Sequence, residues 1–469
     1  MFKPWLQADH EQQFADKVAS ACLDQYQKLP ATGKPSINNG KHEWTILAGI
    51  VLVRQVEVVT EQTPAKSKKT YFSVDNHHFE ISVVSIGRTG LKCMPLSKLS
   101  KYGDLVQDSH AEVIARRGFN KYLLNEIENC ASSKPSIFEN VHDVISNLKL
   151  KALHSFHMYI SQAPCGDASM TKLEAIQSEE SQNAYIKGLK RKKCTQELAE
   201  DPLTQYTYRS KKRKSEDEAE QPGDAIASTI RRGRVGYQEF GILRTKPGRV
   251  DSEPSLCMSC SDKLARWNVL GLQSALISTL IPPIYLDCVI VNEMFDLPAL
   301  RRSLFERLSN LTPIESPYRL AKPKILHSSK QFLHSKQALE KTVECSQIIT
   351  CNTAISWIPG MSKAEVIVNG RRQGASKPKN GQHSLKSRAS ICKLSLFQRF
   401  ASIWEILKEK DSRLILDTTW MYQDAKSKAT MYNKTKHKLL DNCFQEWVQS
   451  PDEVNMFDLQ GSIAEPTNT

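Results

Sequence analysis

The sequence predicts an α/β fold built from packed layers of helices and strands. Segments rich in β-branched residues at 43–60, 79–87, 155–161 and 285–291 have the composition of strands. Segments with apolar residues at helical spacing lie between them, so that the two types of element alternate along the chain. Hydrophobic residues make up 40% of the 469 positions, which is enough for a sizeable core. The length is compatible with about three domains or with one large α/β domain over residues 1–469.

The first elements are predicted to be a helix and a hairpin. Residues 10–29 have apolar side chains on one helical face, and Pro30 ends that pattern. Residues 43–60 and 79–87 follow as two strands, which are expected to pair as a hairpin within a sheet.

The middle of the chain continues the alternation. A second helix is expected to begin near Ser109, with Asp108 or Ser109 as its capping residue. Residues 155–161 are predicted to form a short strand that ends at a Pro-Cys-Gly sequence. Residues 263–280 are predicted to form a helix and residues 285–291 a strand, which favours a sheet with some parallel pairing.

Two further segments differ from this pattern. Residues 394–450 are predicted to be a helical part that packs on the core. Residues 171–230 have low complexity and carry basic clusters at 190–193 and 211–214 with acidic residues nearby. Such a composition predicts a disordered insertion. The clusters are consistent with a nuclear-import signal or an RNA-contacting arm, and equally with a plain solvated loop.

Net charge and cysteine usage restrict the function classes. The chain has 64 basic and 51 acidic residues and a formal net charge of +13, which suggests a polyanionic partner or a solvated basic surface. No apolar stretch reaches the roughly 20 residues of a spanning helix, and the N-terminus lacks the apolar core of a secretory signal. Twelve cysteines are too few for a disulfide scaffold of this length. We therefore expect a protein of the nucleus, the cytoplasm or both, neither secreted nor membrane-bound, with no obligate protein partner evident.

Three short motifs carry candidate metal ligands. They are His110-Ala111-Glu112, a Pro-Cys-Gly sequence at Cys165, and the pair Cys257 and Cys260 in a C-x-x-C spacing. One histidine and two thiolates around Zn²⁺ leave a coordination position for water, which is the catalytic pattern. Glu112 could reach that water without binding the metal. H-x-E followed by P-C is typical of zinc nucleobase deaminases, although the second cysteine that usually follows closely is absent here.

Each motif is weak alone. The C-x-x-C pair by itself would more often indicate a structural zinc half-site, but the sequence has no second such pair to complete one. The combination in this order is more specific than its parts.

These motifs resemble a known family. The sequences DSHAEVIARR (108–117), SQAPCGDAS (161–169) and MSCSDKLARWNVLG (258–271) resemble the adenosine deaminase domain shared by the double-stranded-RNA-editing deaminases and the eukaryotic tRNA adenosine deaminase 1 family. HEWTILAG (42–49) and KPGR (246–249) are more similar to the tRNA family. The resemblance spans nearly the whole chain and implies a cytidine-deaminase-like three-layer α/β/α core with a mixed sheet.

The resemblance also implies an activity and a catalytic site. The expected reaction is hydrolytic deamination of adenosine to inosine at position 37, next to the anticodon of alanine tRNA. His110, Cys165 and Cys260 would bind zinc, Glu112 would shuttle protons, and Cys257 would be a bystander thiol. A purine that is flipped out of its stack would be attacked at C6, with release of ammonia.

A second cofactor is implied by the same family. Its members bury one inositol hexakisphosphate, and the resemblance assigns Lys92 to a substrate phosphate and Asp108 with Lys263 to a relay between the polyphosphate and the zinc site. Tyr422, Lys426, Tyr432 and Lys436 have the spacing of one face of a single helix. The polyphosphate contacts carried over are Arg116, Arg117, Lys263, Arg266, Trp267, Gln273, Lys393, Tyr422, Lys426, Tyr432, Lys436 and Trp447.

Some positions depart from the family pattern. Leu91 in TGLKC (89–93) stands where threonine is usual, and Ala275 and Gln107 replace polar residues. The alternatives to a tRNA deaminase are an editor of duplex RNA, a catalytically inactive RNA-binding relative, and a free-nucleoside or cytosine deaminase. The length and the basic charge fit this last alternative poorly. The intact His110 and Glu112 argue against the inactive relative.

Overall fold

The protein was analysed as a computed structural model. The structure describes residues 2–57, 70–89, 93–140, 148–176, 203–215, 230–233, 236–246, 252–375, 383–410 and 420–463. Every structural statement below concerns these residues.

Ten helices and sixteen strands are present in the described residues. The helices are α1 Ala8–Lys28, α2 Ala111–Ala131, α3 Met170–Ile176, α4 Tyr208–Ser215, α5 Cys260–Leu270, α6 Leu297–Leu304, α7 Lys336–Leu339, α8 Lys393–Lys410, α9 Tyr422–Ser427 and α10 Thr430–Asn442. The strands are β1 Ile37–Asn38, β2 Lys41–Trp44, β3 Ile46–Val56, β4 Thr70–Val74, β5 His77–Thr89, β6 Phe138–Asn140, β7 Leu148–Leu150, β8 His154–Gln162, β9 Arg231–Arg232, β10 Arg244–Thr245, β11 Leu286–Glu293, β12 Lys324–His327, β13 Ile348–Thr350, β14 Thr353–Trp357, β15 Glu365–Val368 and β16 Arg371–Arg372.

A mixed sheet of nine strands forms the centre of the molecule. Its order is β12-β11-β8-β3-β5-β14-β15-β16, with β4 paired to β5. Strands β12, β11 and β8 are parallel to one another, whereas β3 pairs antiparallel with both β8 and β5. The pairing of β3 with β5 confirms the predicted hairpin. Because β8 and β11 are parallel, their carboxyl ends lie at the same edge of the sheet.

Helices cover both faces of this sheet. On one face, α1 buries Phe14, Val18 and Cys22 against Val51 of β3 and its neighbours. On the other face, α2, α5 and α8 pack against the side chains that alternate with these along the strands. The three-layer α/β/α architecture predicted from the sequence is therefore confirmed, and the core is divided by the sheet into two apolar clusters.

Several predicted boundaries change. Helix α2 begins at Ala111 with His110 as its N-cap, one or two residues later than expected, and no side chain caps it. The predicted helix 263–280 was wrong in extent, since α5 covers Cys260–Leu270 and only a short 3-10 turn, Ile277–Thr279, follows. The serine at N-cap position 259 accepts a hydrogen bond from the Asp262 amide, which fixes the earlier start.

The segment 171–230 is described only in part. Nearly all of α3, and all of the 3-10 turn Thr204–Tyr206 and α4, lie inside it, and the prediction of a disordered insertion stays a prediction. Helix α4 contains the basic cluster 211–214, whereas the cluster 190–193 lies outside the described residues. The part predicted as 394–450 consists of α8, α9 and α10. In the described part of the chain, no helix combines the length and apolar character that a membrane span requires.

Candidate active site and an adjoining basic cavity

The first turn of α2 rests directly on the sheet. A Cβ atom on Gly87 of β5 would lie 2.3 Å from the Ala111 carbonyl oxygen and 2.4 Å from the Ala115 nitrogen, so only glycine permits this approach. This contact fixes where His110 and Glu112 are held relative to the carboxyl ends of β8 and β11.

His110 is oriented by a buried carboxylate. Asp108 Oδ1 lies 2.8 Å from His110 Nδ1 and accepts a hydrogen bond from the His110 amide at 3.1 Å. Because Nδ1 is engaged in this way, Nε2 is left for another partner. Cys93 Sγ lies 3.6 Å from the same Nδ1 atom. Ligand atoms of Cys93, Asp108 and His110 all lie within 4.8 Å of one another, so this group could also hold a metal ion.

Two cysteines meet beside this histidine. Cys165 follows the end of β8, and Cys260 is the first residue of α5. The Cys260 amide donates to Cys165 Sγ at 3.3 Å, and the Ser261 amide donates to the Cys165 carbonyl at 3.0 Å. Contact with the Cys260 thiol and the nearby Lys246 and His110 hold the pKa of Cys165 well below its usual range. One thiolate thus forms readily, as metal binding needs.

Glu112 lies inside this group. Its side chain is buried at 4% exposure, and burial together with the nearby Cys165 raises its pKa. A carboxyl group in such surroundings holds and releases a proton more readily near neutral pH than an exposed one.

A lysine that the sequence reasoning gave no role completes the site. Lys246 Nζ donates to Asp108 Oδ2 at 2.8 Å and to Cys260 Sγ at 3.2 Å, and Lys263 Nζ donates to the same carboxylate oxygen. Burial opposes ionisation of Asp108, but Lys246, Lys263 and His110 hold its pKa well below its usual range. Lys246 is the first residue of the KPGR sequence. That sequence indicated similarity to a family but gave no role for the lysine.

A basic cavity of about 350 Å³ adjoins the site. Asp108 and Lys263 line it, so the cavity and the candidate metal site share these side chains. The other assigned polyphosphate contacts that line it are Arg116, Arg117, Arg266, Trp267, Lys393, Tyr422, Lys426, Tyr432, Lys436 and Trp447.

The cations in this cavity repel one another. Burial and neighbouring cations, with little compensation from carboxylates, lower the pKa of Lys393 to about 7, of Lys426 to about 8 and of Lys436 to about 7. Burial lowers the pKa of Arg116 to about 10. A cluster of cations depressed in this way is suited to a polyanion, which would restore the charged form of each side chain.

Some assigned residues lie elsewhere than the sequence suggested. Gln273 does not line the cavity, because its amide nitrogen donates to the Leu270 carbonyl and its oxygen accepts from the Ile284 amide. Tyr422 and Lys426 belong to α9, whereas Tyr432 and Lys436 belong to α10, so the prediction of one shared helix was wrong. The two helices nevertheless direct all four side chains to one cavity.

Three other positions can be placed or set aside. Cys257 lies at the cavity and not beside Cys165, with its Sγ 3.8 Å from the Gln107 carbonyl oxygen. Gln107 also lines the cavity, whereas Ala275 is packed in an apolar cluster. Leu91 and Lys92 lie outside the described residues.

Comparison with known proteins identifies the family. The family model described as "Adenosine-deaminase (editase) domain" matches residues 85–451, more than half of the chain. The chain belongs to this family, as its motifs suggested.

Particular relatives are similar over almost their full length. The tRNA-specific adenosine deaminase 1 of Macaca fascicularis is 31% identical, with 94% of this chain and 99% of the relative covered. The protein of the same name from Homo sapiens is 30% identical with the same coverage. The double-stranded RNA-specific adenosine deaminase of Mus musculus is 29% identical, but only 29% of its length is covered, against 80% of this chain.

Proposed function

We propose that this chain catalyses the hydrolytic deamination of adenosine to inosine in tRNA, at position 37 next to the anticodon of alanine tRNA. The observation that carries the proposal is the convergence of four side chains where β8 ends and where α2 and α5 begin, namely those of His110, Glu112, Cys165 and Cys260. The relatives named tRNA-specific adenosine deaminase 1 match this chain from end to end, which favours tRNA over duplex RNA as substrate.

The donor set fits zinc. His110 Nε2 and the thiolates of Cys165 and Cys260 would hold the ion, which is a three-ligand set of the catalytic type. A bound zinc ion would lower the pKa of a coordinated water to near neutrality. Cys93 and Asp108 are assigned to the outer sphere, because the Asp108 carboxylate is already occupied by Lys246 and Lys263.

The chain's own residues move protons and keep the ligands in place. Glu112 would accept a proton from the attacking water on its carboxylate oxygen and return protons to the purine and the leaving amine. Asp108 fixes the His110 ring through Nδ1, and Lys246 joins that carboxylate to the Cys260 sulfur. The burial of these groups excludes bulk water from the proton transfers.

We also propose that the basic cavity binds inositol hexakisphosphate. The support for this proposal is that lysines with depressed pKa values and several arginines line the same cavity. The ligand would be structural, since it would join α2, α5, α9 and α10 through charge-assisted hydrogen bonds.

The function is tested by inosine mapping. The purified protein should convert position 37 of alanine tRNA to inosine and leave a perfect RNA duplex unmodified. Glu112→Ala should abolish inosine formation while zinc content is retained. Deamination of the duplex alone would overturn the assignment of substrate, and full activity of Glu112→Ala would refute its role as proton carrier.

The metal site needs its own test. Metal analysis should find about one zinc per chain, lost in Cys165→Ser and retained in Cys93→Ser. The reverse result would place the metal at Cys93, Asp108 and His110. We further propose a nuclear or cytoplasmic location, or both, to be checked by fluorescence microscopy of the tagged full-length chain.

A further inference from the structure

Two buried carboxylates follow the two proposed zinc cysteines at the same spacing. Asp167 lies two residues after Cys165, and Asp262 lies two residues after Cys260. Both side chains are fully buried at 0% exposure. A carboxylate buried close to a thiolate raises the free energy of both anions, because charges are poorly screened in the protein interior. The buried Arg244 interacts electrostatically with both carboxylates, and each carboxylate also pairs with a second arginine.

Arg302, at the end of α6, supplies the cation for the first carboxylate. Its Nε donates to Asp167 Oδ2 at 3.1 Å, and its Nη2 lies 3.4 Å from Oδ1 and 3.3 Å from the Asp167 carbonyl oxygen. The Gly241 amide also donates to Asp167 Oδ1 at 2.8 Å. The Arg302 guanidinium carbon also lies 4.5 Å from the centroid of the Phe240 ring, a cation–π contact that adds to these hydrogen bonds.

Arg307, in the turn directly after α6, supplies the cation for the second. Its Nη2 lies 2.7 Å from Asp262 Oδ1, and its side chain is 5% exposed. The other oxygen of Asp262 accepts from the Ser259 hydroxyl at 2.6 Å and from the Arg244 amide at 3.0 Å. Asp262 therefore ties the first turn of α5 to the strand that leads to Lys246.

The two cysteine-bearing loops touch each other at this point. A Cβ on Gly166 would lie 2.2 Å from Ser259 Oγ, and the Ser261 amide donates to the Cys165 carbonyl. A shift of either aspartate would move its cysteine by a similar amount, because only one residue separates them.

We propose that Arg302 and Arg307 are positioning residues for the zinc site, each holding and neutralising the carboxylate that follows one zinc cysteine. This inference rests on the proposed assignment of Cys165 and Cys260 as ligands. Neither arginine touches the candidate metal ligands. They act through Asp167 and Asp262 by fixing the two loops and by removing negative charge that would compete with the thiolates.

Single and double substitutions of Arg302 and Asp167 test the first ion pair. In the full-length zinc-loaded protein, Arg302→Met should release zinc to a chelator at least about ten-fold faster than the unaltered chain, in line with the loss of an outer-sphere contact. In the double variant Arg302→Met with Asp167→Asn, zinc release should return most of the way to the rate of the unaltered chain, because the carboxylate that Arg302 paired with has been removed. Arg301→Met is the matched control, since Arg301 is its exposed neighbour on α6 and, among the residues that the structure describes, forms an ion pair with Glu306 alone.

The readouts separate positioning from plain stability. The cobalt-substituted protein should show an altered thiolate-to-cobalt charge-transfer band in Arg302→Met and an unchanged band in Arg301→Met. Arg307→Met should behave like Arg302→Met. Arg302→Lys keeps the positive charge but not the planar guanidinium group. Its zinc-release rate should therefore lie between those of Arg302→Met and the unaltered chain.

Each outcome of these experiments either supports or overturns the proposed role of the two arginines. If Arg302→Met does not fold, the double variant must fold and bind zinc for the proposal to stand. Equal zinc release from Arg302→Met and Arg301→Met would overturn it, as would a double variant that is worse than either single one. If Cys165→Ser retains zinc, the metal assignment itself is wrong, which is a separate result from a failure of the arginine variants.

Discussion

At the scale of single residues, Gly166 sets how closely the two cysteine loops approach. Its backbone has φ +100° and ψ −150°, a region that only glycine occupies readily. The position of its absent Cβ coincides with the side chain of Ser259. Both the backbone and the space around it therefore require glycine.

Gly166→Ala is expected to destabilise the fold and the metal site together. The backbone strain alone should cost about 1–3 kcal/mol, and the collision with Ser259 adds to it. Gly360→Ala is the matched control, because Gly360 also has a positive φ, +87°, but no atom of the described residues lies within 4 Å of the added Cβ. The free energy of unfolding, measured with denaturant, and the zinc content should both fall more in Gly166→Ala than in Gly360→Ala. Equal losses in the two variants would show that the contact with Ser259 is unimportant.

The candidate site was predictable where chemistry lies in short motifs. His110, Glu112, Cys165 and the pair Cys257 and Cys260 were selected because their residue types and order are rare in combination, and the family resemblance then favoured Cys260 over Cys257. Lys246 was not assigned a role, since one lysine among many gives no signal until its distance to a buried carboxylate is known.

At the scale of elements, the basic cavity depends on a break between two helices. Helix α9 ends at Ser427 and α10 begins at Thr430, and the two contribute Tyr422, Lys426, Tyr432 and Lys436. Residue spacing predicted one continuous helix because the four positions happen to fit its period. The break itself is not visible in the pattern, since no proline or glycine marks it. The extent of α5 was overestimated for a different reason, because apolar residues continue beyond Leu270 although Gly271, the C-cap with a positive φ, marks the end of the helix.

The lysines of this cavity predict a pH dependence. The pKa of Lys436 falls from 10.5 to about 7 on folding without an anion, because of burial and the nearby Arg266 and Lys426. The unfolded chain then binds more protons between these values, so stability should rise with pH across that window and fall as pH drops towards 7. Urea unfolding of the protein without polyphosphate, between pH 7 and 10, measures this.

Lys436→Met should flatten that dependence and also reduce the rise in melting temperature that inositol hexakisphosphate produces. Lys434→Met serves as the control, since Lys434 lies on the same helix but is exposed and pairs with Glu315. If the two variants respond alike to pH and to the polyphosphate, the cavity is not the site of that ligand.

At the scale of the whole molecule, the fold extends beyond the family match. The match begins at residue 85, yet α1 and β3 precede it, and β3 lies between β5 and β8 in the sheet. Phe14 of α1 is fully buried among Trp5, Phe72 and His157. The alternation of strands and helices was enough to predict a layered α/β fold, and the family resemblance implied the three-layer core. The pairing of β3 with β5 was predicted, but the order of the other strands was not predictable, since strand order depends on contacts between distant segments.

Phe14→Ala should therefore destabilise the entire domain, by about 3–5 kcal/mol for a large buried aromatic residue. Leu385→Ala, at a position that is 72% exposed, should change stability by less than about 0.5 kcal/mol. Thermal unfolding of both variants checks the difference. A loss of activity in Phe14→Ala without a loss of stability would contradict the assignment of α1 to the core.

The close seat of α2 on Gly87 has a consequence for motion. Helix ends usually open and close locally, far below the free energy of global unfolding. Here the backbone of the first turn of α2 contacts the backbone of β5 at Gly87, in the interior of the sheet. This turn therefore cannot open without a change in the sheet. The amides of Ile114 and Ala115 should exchange with deuterium as slowly as those of β3, and much more slowly than those of the last turn of the same helix. The helical turn that carries Glu112 would then open only when the whole protein unfolds.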